Sequence, residues 1–130
     1  MVLIEITDVD CSYCRQSEQY FKGKESIFTR YIYLLPSEKN INRTKSILGA
    51  TDQATAYIKT MEGAYDTQEP PVRGGSEAQV VDRLEHVKRL TEKVEITGTP
   101  TFVWPNGMME GLNTAFFDRL IEHNAKEIKK

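Results

Sequence analysis

The sequence predicts a mixed α/β domain, in which a strand–helix–strand unit and a strand–strand–helix unit flank a helical segment. Three observations predict it. Two apolar runs bracket a helix-forming run over residues 2–35, apolar residues recur at helical spacing through the middle of the chain, and residues 101–128 return to a strand pattern before a closing helix. The chain has 130 residues, and no repeat or linker divides it, so we expect one domain over residues 1–130.

The N-terminal part has the pattern of a βαβ unit. A first strand is predicted at Val2–Thr7, a short apolar run rich in β-branched residues. Helix formers follow over Cys11–Phe21, and Gly23 ends that helix. A second strand is predicted at Phe28–Leu35 and stops at Pro36. This order and these lengths are typical of a βαβ unit.

A helical insert is predicted over about residues 42–94, with Gly49 and Gly63 as break points. A loop rich in proline and glycine is predicted at Gln68–Gly75, and a further helix starts at Ser76-Glu77. One apolar stripe along that helix is most simply part of the core. Its members are Val80, Leu84, Val87, Leu90 and Val94.

The last third of the chain changes from helical to strand periodicity. Thr101–Trp104 is predicted to be a strand, and Asn106-Gly107 is a strong hairpin signal that leads into Met108–Glu110. A closing helix then carries a set of apolar residues that we expect to face inward, namely Phe116, Phe117, Leu120, Ile121 and Ile128.

The two cysteines of the chain, Cys11 and Cys14, indicate thiol chemistry. A disulfide between them would close too small a loop to stabilise the fold much. Cys11 opens a predicted helix, where unpaired N–H groups and the helix dipole stabilise a thiolate. Cys14 lies one turn further on the same face, near enough for a disulfide. Cys11 can therefore attack a substrate disulfide, and Cys14 can resolve the mixed disulfide.

Two simpler interpretations of the cysteines, a zinc site and a pair of inert buried thiols, are disfavoured. A zinc site needs four ligands, and His86 and His123, the remaining strong candidates, lie in charged helical stretches without finger-like spacing. No metal site is therefore expected. Two inert buried cysteines are also disfavoured, because a Cys-x-x-Cys motif at a strand-to-helix junction is typical of redox proteins.

The charge balance argues against nucleic-acid binding. The chain has 17 basic and 19 acidic residues and a net charge of −2, whereas a nucleic-acid surface has a basic excess. No apolar run has the length of a membrane span, so no membrane contact is expected. A predicted strand begins at Val2 without a preceding signal peptide, and we therefore expect this chain to be a segment of a longer exported protein.

Pro100 is the second notable feature, since Gly98-Thr99-Pro100 directly precedes a predicted strand. A trans proline is tolerated at a strand entry. Only about one X–Pro bond in twenty is cis in folded proteins. The residues alone therefore leave the isomer open.

Two segments and a turn resemble the catalytic domain of the periplasmic disulfide isomerases DsbC and DsbG, and most of all DsbC. They are Asp8-Val9-Asp10-Cys11-Ser12-Tyr13-Cys14, Thr97-Gly98-Thr99-Pro100-Thr101-Phe102-Val103 and Asn106-Gly107. The likeness covers almost the whole chain. It implies a thioredoxin-like fold, with a mixed central sheet flanked by helices and a helical insert between the second strand and the strand after the cis-proline.

The same resemblance implies a role for each site residue. Cys11 is the exposed nucleophile, Cys14 is the buried resolving thiol, and the only redox group is the disulfide that they form, with no other cofactor. Pro100 is expected to be cis, with the backbone of Thr99 facing a bound substrate chain and lying beside Cys11. The residues expected to bind substrate are Ser12, Tyr13, Thr99 and Pro100.

The resemblance further implies a thiol–disulfide interchange enzyme that acts as isomerase or reductase on disulfide-containing unfolded or misfolded proteins in the periplasm. A membrane thiol reductant such as a DsbD-like protein would be its partner. Full-length members form homodimers through an N-terminal domain that this sequence lacks. Three further departures are a missing second cysteine pair in the insert, Ser12 in place of glycine, and Asp10 directly before Cys11, where a carboxylate should oppose the thiolate.

A glutaredoxin-like reductase is the main alternative, because Cys-Ser-Tyr-Cys also resembles the Cys-Pro-Tyr-Cys of that family. The chain length and the large insert argue against it, and no glutathione-site signature is evident. A zinc-binding or redox-sensing module without turnover is a further alternative. The motif does not separate isomerase from reductase, since the same two thiols serve both reactions.

Overall fold

A mixed sheet with flanking helices forms the computed structural model, which describes residues 1–71 and 77–128 and the side chains of residues 1–71 and 77–123. The strands are β1 (Val2–Thr7), β2 (Thr29–Leu34), β3 (Thr101–Val103) and β4 (Met109–Glu110). The helices are α1 (Ser12–Phe21), α2 (Ile41–Leu48), α3 (Gln53–Met61), α4 (Glu77–Lys93) and α5 (Thr114–Ile128). The predicted α/β architecture, a thioredoxin-like mixed sheet flanked by helices, is confirmed.

The sheet has the strand order β2-β1-β3-β4. The central strand β1 pairs in parallel with β2 and antiparallel with β3. Ile6 of β1 lies opposite Thr101 of β3. Because these two strands run in opposite directions, the residues that follow β1 lie beside the residues that precede β3. This register brings the Cys11 loop and the Thr99-Pro100 segment together.

Two apolar clusters hold the helices against the sheet. One is built around aromatic rings in mostly edge-to-face contact, with Phe102 and Phe117 fully buried. The other joins the insert helices to the end of β2 and to the first turn of α1, and it includes Cys14. The Cys14 side chain is therefore part of the core that anchors the insert.

The insert consists of helices α2, α3 and α4, and it lies where the sequence predicts it. Asp52 caps α3 by accepting a hydrogen bond from the Thr55 N–H, and the chain leaves the helix through Gly63, whose φ is +94°. Of the predicted stripe on α4, Val80 and Val87 are buried and Leu84, Leu90 and Val94 are half-buried. Residues 72–76 of the predicted loop and helix start, and the Ile128 side chain, lie outside the described residues.

The hairpin between β3 and β4 forms, although its turn is longer than the Asn-Gly pair alone. The Gly107 N–H donates to the Trp104 carbonyl at 2.9 Å, and the Trp104 N–H donates to the Met108 carbonyl at 2.9 Å. Gly107 has a φ of +86°, whereas no non-glycine residue among those described has a positive φ. A two-residue type I′ turn needs positive φ at both positions. The chain instead uses a three-residue loop that begins at Pro105.

Differences at element ends are small. The second strand begins at Thr29 rather than Phe28, and the first helix begins at Ser12, with Cys11 as its N-cap. Within the described residues no helix is long and apolar enough to cross a membrane.

Candidate active site

Cys11 occupies the N-cap of α1, where backbone geometry changes from extended to helical. Its φ and ψ are −79° and 123°, and its sulfur accepts a hydrogen bond from the Cys14 N–H at 3.2 Å. The sulfur therefore takes the place of the oxygen that usually caps a helix, and it lies at the positive end of the helix dipole. Cys11 is half-exposed, and both cysteines are free thiols. At this N-cap position, the Cys14 N–H can also donate a hydrogen bond to the thiolate form of the sulfur.

Cys14 lies one turn further along and is fully buried. Burial, followed by the hydrogen bond to Cys11, raises the pKa of the Cys14 thiol to about 12. Cys14 is thus protonated in the resting reduced protein. The structure separates the two thiols into an accessible sulfur at a helix N-terminus and an enclosed one in the core.

Thr99 and Pro100 lie directly against Cys11. The Cys11 thiol donates a hydrogen bond to the Thr99 carbonyl oxygen at 3.3 Å, and the Thr99–Pro100 peptide bond is cis. Pro100 is buried, while Thr99 stays half-exposed. The expected contact between Thr99 and Cys11 is present, so two segments far apart in the sequence share one site.

A groove of about 410 Å³ runs alongside this contact. Residues 97–101 and Tyr13 form part of it, and the end of the β3–β4 hairpin forms the rest through Met109, Glu110, Gly111 and Leu112. Tyr13 is 62% exposed although it is aromatic, so it presents a large apolar surface to any chain in the groove. Ser12 is exposed and does not line the groove. Sequence reasoning missed the contribution of Met109 and Glu110, because only the hairpin brings them to the site.

A buried carboxyl group lies in the central strand β1, two residues before the strand ends. Glu5 has no exposed surface, and burial raises the pKa of its carboxyl from 4.5 to about 7, with Arg30 opposing that shift. One of its oxygens lies 3.0 Å from Arg30, which also forms a bidentate pair with Glu18. Sequence reasoning assigned no role to Glu5. The signal available was a single carboxylate inside a strand predicted to be buried.

Thr7 and Tyr57 contribute further buried polar atoms near Glu5. The Thr7 hydroxyl lies near both the Cys14 thiol and the Tyr57 hydroxyl, and burial, with Glu5 adding to it, raises the pKa of Tyr57. Glu5 Oε2, Thr7 Oγ1 and the Tyr57 hydroxyl have no well-formed hydrogen bond to any described residue. Burial of unsatisfied polar groups costs stability.

The loop that delivers Cys11 is braced by the start of α2. Asn40 is fully buried, and its amide donates to the Asp8 carboxylate at 2.9 Å and to the Leu35 carbonyl at 3.0 Å. Its side-chain oxygen accepts hydrogen bonds from the Ser37 N–H and the Thr44 hydroxyl. This one side chain therefore links the end of β2, the insert and the Cys11 loop.

In the part of the chain that the structure describes, no three or more His, Cys, Asp or Glu side chains are grouped so as to hold a metal ion. His86 and His123 are both exposed.

The sequence matches the family model of the thioredoxin-like domain over residues 1–123, which is almost the whole chain. The chain belongs to the thioredoxin-like domain family. No match was found among curated proteins.

Solved structures with the same fold include proteins of disulfide exchange. A disulfide interchange protein from Neisseria gonorrhoeae is 22% identical, with a TM-score of 0.66 over 95% of this chain and 87% of that one. ScsC from Proteus mirabilis is 18% identical, with a TM-score of 0.74 over 99% and 70% of the two chains. DsbA from Xylella fastidiosa is 13% identical, with a TM-score of 0.68 over 96% and 86%. At these identities the likeness establishes the fold, and the specific likeness to DsbC and DsbG stays a prediction.

Proposed function

We propose that this protein is a thiol–disulfide oxidoreductase that exchanges disulfides with exported protein substrates through Cys11 and Cys14, as a DsbC-like isomerase or reductase. The observation that carries the proposal is the unequal placement of the two sulfurs. Cys11 is half-exposed and accepts the Cys14 N–H at 3.2 Å, whereas Cys14 is fully buried. One thiol can meet a large substrate, and the other can react only with the first.

The proposed reaction has two exchanges. The Cys11 thiolate attacks one sulfur of a substrate disulfide, so that the substrate S–S bond breaks, a mixed disulfide forms and a substrate thiolate leaves. Cys14 then loses its proton and attacks the Cys11 sulfur, which releases the second substrate thiol and leaves the protein oxidised. The substrate gains two electrons and two protons, and the protein loses them. In isomerisation a substrate thiolate attacks the mixed disulfide instead, and Cys11 is regenerated without net oxidation.

Cys14 needs a proton acceptor, because burial holds the pKa of its thiol at about 12. Glu5 is suited to this role, since burial raises the pKa of its carboxyl to about 7 and it can both accept and release a proton near neutral pH. Glu5 and Thr7 lie on the same face of β1, and the Thr7 hydroxyl lies near the Cys14 thiol. We assign Glu5 the uptake of the Cys14 proton during resolution.

The groove beside Thr99 suits an extended polypeptide. Residues 97–101 line it, and Tyr13, Met109 and Leu112 add apolar surface. Main-chain hydrogen bonds hold a segment without reading its sequence, and apolar contacts favour unfolded or misfolded chains. This supports Tyr13, Thr99 and Pro100 as substrate-binding residues, while Ser12 is exposed at the rim of the Cys11 loop.

Location and partners are proposed from the DsbC resemblance. A periplasmic protein that isomerises disulfides must be kept reduced, so a DsbD-like membrane thiol reductant is the proposed electron donor. Homodimer formation through an N-terminal domain outside this sequence would join two such sites. The groove is formed by the described residues of this chain alone, so substrate binding in it requires neither the reductant nor a second subunit.

Two assays test the proposal. The reduced protein should catalyse reduction of insulin by dithiothreitol, and with a reduced glutathione buffer it should restore activity to a ribonuclease carrying scrambled disulfides. Cys11→Ser serves as the inactive control. Faster insulin reduction without recovery of ribonuclease activity would assign a reductase rather than an isomerase.

Other results would contradict the proposal. Absence of turnover together with one zinc ion per chain would indicate a metal-binding module. A strong preference for glutathione mixed disulfides over protein disulfides would indicate a glutaredoxin-like reductase.

A further inference from the structure

A chain of four alternating charges connects the helical insert to both ends of the Cys-Ser-Tyr-Cys segment. Arg43 of α2 lies 2.7 Å from Asp10, the residue directly before Cys11. Arg43 also lies 3.6 Å from Asp66. Asp66 in turn forms two hydrogen bonds of 2.7 Å with Arg15, the residue directly after Cys14. Insert residues therefore hold both flanks of the motif.

Arg43 is the partner on which the Asp10 carboxylate depends. Asp10 Oδ1 lies 2.7 Å from the Arg43 guanidinium, while Asp10 Oδ2 is buried and has no hydrogen-bond partner among the described residues. The two side chains are only 11% and 20% exposed, so water and salt screen the pair less than they would on an open surface. Removal of Arg43 would leave a poorly solvated, unpaired carboxylate on the residue directly before Cys11.

We infer that Arg43 is a positioning residue for Cys11: by pairing with the Asp10 carboxylate, it offsets a charge that would otherwise oppose formation of the Cys11 thiolate. The carboxylate before the helix opposes the N-terminal dipole that favours the thiolate. Pairing with Arg43 removes most of that opposition without adding a free positive charge at the groove. This inference rests on the proposed function only in taking Cys11 as the attacking thiol.

Arg15 has a second role in the same arrangement. Its Nε donates to the Val9 carbonyl at 3.0 Å, so it fixes the backbone just before Asp10 while its guanidinium holds Asp66. These hydrogen bonds keep the pKa of the Asp66 carboxyl below its usual value, and Asp66 stays charged. Because Asp66 is anionic, it attracts the Arg43 guanidinium, which lies near both the Asp66 and the Asp10 carboxylates.

Charged groups on several elements surround Cys11 and would contribute to its titration. Asp8 lies in the Cys11 loop and is held by Asn40, Glu110 of β4 lines the groove, and Glu5 is buried in β1. None of these carboxylates forms an ion pair with Arg43 in the described structure. A shift in the titration of Cys11 that requires both Arg43 and Asp10 can therefore be distinguished from the effects of these other carboxylates.

The test is the pH dependence of Cys11 alkylation by iodoacetamide in the reduced full chain, with the modified sulfur assigned by fragment mass spectra. Arg43→Gln should raise the midpoint pH by about one unit. Arg43→Lys, which keeps the charge, should stay within about 0.3 units of the unchanged protein. Asp10→Asn should lower the midpoint by no more than about 0.3 units, because the carboxylate is already offset. The Asp10→Asn, Arg43→Gln double variant should match Asp10→Asn.

Each variant can overturn the inference. An equal rise on removing Arg43 with and without Asp10 would show that Arg43 acts on Cys11 directly. If Arg43→Gln does not fold, Asp10→Asn still decides, since a fall of about one unit would mean that the carboxylate is not offset. The alkylation midpoint needs no substrate. A protein without insulin turnover that gives the expected midpoints would refute the proposed function and leave the role of Arg43 standing.

Discussion

The sulfur of Cys11 lies 3.3 Å from the carbonyl oxygen of Thr99, although 88 residues separate them in the chain. The antiparallel pairing of β1 and β3 produces this contact, because the segment after β1 and the segment before β3 meet at the same end of the sheet. Under the proposed function, a substrate chain that reaches Cys11 lies beside the backbone of Thr99, so attack and substrate binding are expected to share one surface.

Substitution of Cys11 and substitution of Cys14 should have different effects on disulfide exchange. Cys11→Ala should abolish disulfide exchange, because no other accessible thiol remains. Cys14→Ala should accumulate mixed disulfides with substrate, since the resolving thiol is absent. Non-reducing electrophoresis and mass spectrometry measure both. Faster alkylation of Cys14 than of Cys11 in the reduced protein would reverse the assignment.

Glu5 should make stability depend on pH. Because the folded state raises the pKa of its carboxyl from 4.5 to about 7, protonated Glu5 stabilises the protein fully below about pH 4.5, and this contribution is lost as the pH rises through 7. Glu5→Gln should therefore be more stable than the unchanged protein at about pH 8.5, by on the order of 2–3 kcal/mol, and nearly equal at about pH 4.5. Urea unfolding at both pH values measures the difference.

The exposed Glu69→Gln is the control for that measurement, and its stability difference should not change with pH in this way. The Glu5→Gln protein should also resolve mixed disulfides more slowly if Glu5 takes up the Cys14 proton. A resolution rate equal to that of the unchanged protein would remove this role from Glu5.

Tyr13 should contribute to substrate binding rather than to the chemical step. Tyr13→Ala removes an apolar surface at the groove, so KM for an unfolded protein substrate should rise several-fold while kcat changes little. Tyr31, on β2, is 57% exposed and does not line the groove, which makes Tyr31→Ala the matched control. Equal KM values for the two variants would argue against the groove as the binding site.

Asn40 should be the most sensitive of the polar residues around the Cys11 loop. Asn40→Ala removes hydrogen bonds to Asp8, Leu35 and Thr44 in a fully buried position, and it should cost about 2–4 kcal/mol of unfolding free energy. Asn42→Ala, an exposed position of the same helix, should change stability by less than about 0.5 kcal/mol. Thermal and urea unfolding test both, and similar losses for the two would disprove the bracing role.

Local chemistry made much of this protein predictable from its sequence. Hydrophobic periodicity depends only on neighbours along the chain, so it was sufficient for the strands, for the helices and for the position of the insert. The N-terminal position of Cys11 on α1 could be predicted for the same reason, because a strand end and helix formers on either side define it. The contact of Thr99 with Cys11 was expected from a resemblance between motifs, not from the residues alone.

Tertiary structure alone decided the features that depend on residues distant in sequence. Glu5 has a raised pKa because burial removes it from water, and Met109 and Glu110 reach the groove because a three-residue hairpin loop turns them toward it. The pairing of Asp10 with Arg43 depends on how α2 packs beside the Cys11 loop. Burial and charge pairing are properties of three-dimensional neighbours, which periodicity along one chain does not encode. The sequence therefore determined which residues could react, and the packing of the insert and the hairpin decided which charges and surfaces surround them.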